Sequence, residues 1–174
     1  MRDAEAALGM IPPASAWALA LLLTLLLTAV ITDWRQRRIP NALVAVGAAS
    51  AAVQQTLLPL GVHPAASAHS GTPGLLSGAG AGLIMLLAAG TLWRLKWWGA
   101  GDAKWMAVLA AHSGPALVAP ALLLTALFGG VLALCWKALG RTDRMPYALA
   151  IAAGHLALIG ALATAPFLTR STVH

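Results

Sequence analysis

Residues 105–139 read WMAVLAAHSGPALVAPALLLTALFGGVLALCWKAL, 35 residues in which Lys137 is the only fixed charge. As one straight helix this stretch would be about 52 Å long, against a bilayer hydrocarbon core of about 30 Å. It therefore has to break, and His112-Ser113-Gly114-Pro115 is where glycine and proline punctuate it. Two short apolar helices are predicted here, the fourth and fifth of the chain, and that number decides on which side of a membrane every other segment falls.

The chain on either side follows the same plan. Ala14 to Ile31 is almost wholly apolar and forms helix one, with the basic exit Thr32-Asp33-Trp34-Arg35-Gln36-Arg37-Arg38-Ile39-Pro40-Asn41. Proline disfavours helical geometry at the residue before it, so Ile39 is expected to be extended, with helix two beginning at about Asn41 or Ala42 and running to about Leu60. Residues 61–74 combine Gly, Pro and small polar residues as loops do, and helix three follows from about Leu75 to Trp93. Gly74, Gly78 and Gly82 share one helical stripe, a pattern for close packing on a neighbouring helix and not for cradling phosphate. A last basic turn, Gly140 to Pro146, leads into helix six, from about Tyr147 to Leu168.

Composition agrees with this plan. Hydrophobic residues make up 60% of the 174 and charged residues 9%, with a mean hydropathy of +0.81, far from the balance of soluble domains. The apolar runs are continuous and not alternating, so the expected fold class is an all-α integral membrane protein, a bundle of about six transmembrane helices and not a barrel. The expected division is an extracytoplasmic tail at 1–13, a six-helix membrane domain at 14–168 and a C-terminal tail at 169–174. Residues 1–13 lack the basic start, apolar centre and cleavage site of a signal peptide, so helix one is expected to remain as a span. The net charge of +6 comes from Lys and Arg at the ends of apolar segments, which points to membrane lipid headgroups as partners and not to nucleic acid. Cys135 is the only cysteine, which excludes a disulfide within the chain and a zinc site of paired cysteines, and leaves inert helix packing as its expected role.

Charge also tests the helix count, because Lys and Arg concentrate in short cytoplasmic loops. Six helices with the N-terminus outside place Arg35, Arg37, Arg38, Arg94, Lys96, Lys104, Lys137, Arg141 and Arg144 inside and only Arg2 and Arg170 outside, nine against two. Treating 103–139 as one pass worsens the division to seven against four. Trp34, Trp93, Trp97, Trp98, Trp105 and Trp136 all fall at the same expected cytoplasmic boundary, where indole rings prefer to lie, and Trp17 marks the outer side.

Only three carboxylate side chains lie beyond residue 5, and two of them, Asp33 and Asp102, stand where apolar segments meet basic turns. In the six-helix plan Asp33 closes helix one and Asp102 opens helix four, at one membrane face. Two carboxyls that meet there suit peptide hydrolysis: close like charges hold one proton between them, so that one carboxylate can take a proton from water while the neutral acid hydrogen-bonds the scissile carbonyl. Gly99 and Gly101 let backbone pass close to Asp102. Other roles are open to each residue: Asp33 can pair with Arg37, Asp102 can cap helix four, and Lys104 can reach the headgroups, the reading favoured for that lysine.

The stretch Asp33 to Asn41, with its basic turn and Ile39-Pro40-Asn41, and the stretch Gly99-Ala100-Gly101-Asp102-Ala103-Lys104 resemble the two signatures of the type IV prepilin peptidases, intramembrane aspartyl proteases of the Gly-x-Gly-Asp class. Met145-Pro146-Tyr147, running into Ala150-Ile151-Ala152-Ala153-Gly154, resembles the C-terminal part of that family. The resemblance implies Asp33 and Asp102 as the catalytic dyad, with Gly99, Gly101, Lys104, Ile39, Pro40 and Asn41 as supporting motif residues. It implies a prepilin substrate whose basic leader is removed at the cytoplasmic face of a bacterial inner membrane, with no cofactor and no metal. The seven residues between Asp33 and Asn41 leave no room for the cysteine-bearing cytoplasmic domain of larger members, which also methylate. A short, peptidase-only form like that of the tight-adherence, Flp-type pili is expected.

Rival chemistries fare less well. His112 and Ser113 could suggest a serine protease, but adjacent residues diverge on a helix and no Gly-x-Ser-x-Gly elbow is present. A His-Glu-x-x-His zinc site needs a glutamate, and Glu5 is the only one. His63, His69, His155 and His174 are scattered, with His155 expected to be hydrogen-bonded within helix six. The alternative from another class is a non-catalytic membrane component or a small proton-coupled transporter, though acids at one face and the lack of an internal repeat favour an enzyme.

Overall fold

The computed structural model describes residues 13–57, 74–96 and 98–170, so the expected N-terminal tail, the 61–74 loop, His63, His69, Trp97 and His174 lie outside the described residues, in whole or nearly so. Six α-helices are found among those described: α1 Pro13–Gln36, α2 Asn41–Leu57, α3 Gly74–Arg94, α4 Ala100–Ser113, α5 Val118–Ala138 and α6 Ala148–Arg170, with a 3-10 turn Pro115–Leu117 before α5. Helix α2 starts where Pro40 forced it to, and the Pro40 carbonyl accepts the Val44 N–H at 3.2 Å. The predicted break stands at Gly114, whose φ of +79° suits a residue without Cβ and whose N–H closes α4 on the Ala110 carbonyl at 2.9 Å.

Helices α1 and α3, and α5 together with the 3-10 turn before it, supply stretches long and apolar enough to cross a membrane, Leu19–Gln36, Gly74–Arg94 and Pro115–Ala138, and each exposes rows of large apolar side chains such as Leu27, Leu76, Leu87 and Leu134. Helix α4 differs. Its 14 residues rise only about 21 Å, and Ala103, Trp105, Met106, Val108, Leu109, Ala110 and His112 are buried, so most of its surface is inside the bundle, with Lys104 exposed. It is the central post of the bundle. Trp105 accordingly lies fully inside the core, correcting its expected place at the membrane boundary.

The glycine stripe packs as its spacing required. A Cβ on Gly78 would lie 2.7 Å from the Ala111 carbonyl oxygen, and one on Gly82 would lie 3.1 Å from that of Ala107, so the α3 and α4 backbones touch along this line. Gln55 of α2 donates to the Ala111 and His112 carbonyls, at 2.8 and 3.3 Å, satisfying acceptors that the end of α4 leaves open. Cys135 is exposed, so its expected packing role is not what the fold uses.

Candidate active site

The ends of α1, α3 and α5 and the starts of α2, α4 and α6 converge at one end of the bundle. A cavity of about 580 Å³ opens there, lined by Asp33 and Asp102 together with Arg37, Trp98, Tyr147 and others. Asp33 sits in the last turn of α1, buried, and one of its carboxylate oxygens accepts the Ala148 backbone N–H at 3.0 Å. That N–H belongs to the first turn of α6, where unpaired donors and the helix dipole favour an anion. Asp102 is the third residue of α4, and its carboxylate folds back over Gly99, where an added Cβ would lie 2.7 Å from Oδ2. That is where the side chain of a capping box stands, so the capping position considered from sequence and a place in the cavity belong to one carboxylate. The two acids are close enough for the charge of one to be felt at the other.

The supporting motif residues stitch the site together. Ile39 packs its backbone against Gly101, where a Cβ would meet Ile39 at 3.5 Å, an ordinary contact. Lys104 donates to the Asn41 side-chain oxygen at 3.1 Å, so the lysine expected to reach headgroups also ties α4 to the start of α2. Asp33-to-Asn41 and Gly99-to-Lys104 are thus neighbours in space as well as parallel features of the sequence.

Other expectations on single residues change. Arg37 pairs with Asp143, at 2.7 Å between Nη2 and Oδ2, and not with the Asp33 carboxylate. His112 meets Ser50 across 3.0 Å through Nε2, and its Nδ1 lies 2.9 Å from the Val108 carbonyl oxygen, so Ser113 has no part in its bonding. His155 is buried with Nδ1 3.1 Å from the Ile151 carbonyl oxygen, as the in-bundle reading required. Sequence reasoning missed Tyr147 and Ala148 as site residues; Tyr147 lines the cavity with its ring centroid 5.5 Å from that of Trp98. The sequence signals for them were Pro146, which marks the start of a helix on the same basic turn, and the resemblance of Met145-Pro146-Tyr147 to the C-terminal part of the family, which carried no site role.

A family model described as the type IV leader peptidase family matches residues 20–134, well over half of the chain and including both Asp33 and Asp102. The chain belongs to that family. Its three long apolar helices fit a membrane protein of the peptidase class. No curated protein and no solved structure matches the chain.

Proposed function

We propose that this protein is a multi-pass aspartyl endopeptidase of the bacterial inner membrane, which removes the basic leader of Flp-type prepilins at the cytoplasmic face. The observation that carries the reading is the sharing of one cavity by Asp33 and Asp102, whose helices start and end at the same end of the bundle. A substrate strand entering from that end meets two carboxyls at one depth. One takes a proton from water as the other, neutral, hydrogen-bonds the carbonyl oxygen, and the tetrahedral species collapses with transfer of a proton to the leaving amine. The charge distribution supports the sidedness, since Arg37, Lys96 and Arg144 also line the cavity.

Co-expression with a Flp-type prepilin, its size followed on a gel, tests this. Leader removal is expected from the unaltered protein and none from Asp33→Asn or Asp102→Asn at matched membrane levels. Processing that survives either substitution would remove the dyad and return the two aspartates to a non-catalytic or proton-carrying role.

A further inference from the structure

Asp143 is the third carboxylate beyond residue 5, and it lies past the segment that the family model matches. The turn that carries it is built with care. Helix α5 ends in a Schellman motif: Gly140, at φ +67°, donates to the Lys137 carbonyl at 3.0 Å, and the Arg141 N–H reaches the Trp136 carbonyl at 3.1 Å. Asp143 is then held twice. Its carbonyl accepts the Trp136 indole N–H at 3.2 Å, and its carboxylate accepts Arg37 Nη2 at 2.7 Å. Five residues later the same segment presents the Ala148 N–H to Asp33.

The other side of the bridge is equally constrained. Arg37 stands in the left-handed region, at φ +54°, while its N–H closes the last turn of α1 on the Asp33 carbonyl at 2.8 Å. Such a conformation is unfavourable for arginine and persists only where its surroundings determine it. Those surroundings are Trp34 and Trp136, 6.2 Å apart edge to face, with the guanidinium carbon 6.0 and 5.6 Å from their ring centres. Nη1 of the same guanidinium is buried with no hydrogen-bond partner among the described residues, so Asp143 is the acceptor that holds this side chain.

We propose that the Arg37–Asp143 bridge is a positioning device for Asp33: it locks the α5–α6 turn to the exit of α1 and so sets the Ala148 N–H on the Asp33 carboxylate. The proposal rests on the reading of Asp33 and Asp102 as the dyad. The pair is half-exposed, with side chains 30% and 50% accessible, and ion pairs of that kind add little to stability. Its contribution is therefore to geometry, and it should appear in turnover and not in the amount of folded protein.

The test is steady-state cleavage of a prepilin by the purified full chain in detergent, comparing Asp143→Ala, Asp143→Asn and Asp143→Glu. Asp143→Ala and Asp143→Asn are expected to lose roughly tenfold or more in kcat, as sub-ångström displacement of a reacting group does, with KM and membrane level unchanged. Asp143→Glu, which restores a charged carboxylate acceptor to Arg37 where Asn offers only a neutral amide oxygen, is expected to recover most of the loss. Unchanged kcat in both neutral variants, a loss confined to KM, a loss matching lower membrane level, or a glutamate no better than alanine would each overturn the proposal. Running Asp33→Asn beside them separates the two ideas. An inactive Asp33→Asn with a fully active Asp143→Ala refutes the bridge alone, whereas an active Asp33→Asn refutes the dyad.

Discussion

Gly99→Ala should leave the protein as stable as before and yet disable it. The backbone at Gly99 has φ −75° and ψ 147°, which alanine adopts without strain. Alanine lowers the entropy of the unfolded chain, a gain of about 0.4–1 kcal/mol. It is a poorer N-cap than glycine, a loss of about the same size. The two nearly cancel. The new Cβ, however, would lie 2.7 Å from Asp102 Oδ2, so the carboxylate oxygen must retreat by about 0.7 Å to reach ordinary contact. Displacement on that scale corresponds to roughly tenfold to a hundredfold in turnover, about 1.4–2.7 kcal/mol of activation free energy. Gly101→Ala is the matched control, because its Cβ meets Ile39 at 3.5 Å and fits with no displacement. The assay is prepilin cleavage at matched membrane level, with thermal unfolding in detergent followed by tryptophan fluorescence. Wild-type turnover in Gly99→Ala, or equal damage in Gly101→Ala, would refute the assignment of Gly99 as the spacer that seats Asp102.

Further outcomes follow from the same geometry. Gly129→Ala would place a Cβ 2.6 Å from the Tyr147 hydroxyl and should lower cleavage several-fold by pushing Tyr147 within the cavity, whereas Gly130→Ala, with open space around it, should be neutral in the same assay. Gly78→Ala should cost about 1–3 kcal/mol by wedging α3 off α4, while Gly80→Ala, which meets nothing within 4 Å, should be neutral or stabilising in thermal unfolding. In a Cys135→Ser background, a cysteine in place of Ser67 should be labelled by an impermeant maleimide only from the extracytoplasmic side. Labelling from the cytoplasm would invert the topology and remove the prepilin leader from the side where the dyad opens.

Much of the fold is legible in the chain because the signals involved are local. Gly114-Pro115 breaks an apolar run too long for a bilayer, and Pro40 sets the start of α2. Gly74, Gly78 and Gly82 declare a helix face on which another backbone will lie. Each depends on φ preference, missing donors or helical spacing within a few residues. The paired motifs around Asp33 and Asp102 are legible for a related reason: an acid beside an apolar segment is costly, and a chain with five acids offers few candidates. Trp105 shows where this logic ends, since an indole near a basic turn looks interfacial until its side chain is seen to be fully buried in the bundle.

Local chemistry and hydropathy along the chain are enough to give six helices, their order, the break between α4 and α5 and the two aspartates at helix ends. Which groups meet across the bundle follows from packing alone: Ala148 with Asp33, 115 residues away, Arg37 with Asp143, 106 away, and Ser50 with His112, 62 away. Packing also decides that Gly99, and not Gly101, crowds Asp102. No local signal encodes such pairings, because a donor or carboxylate on one helix can serve any of several neighbours. Only the packing of all six fixes which one comes within reach.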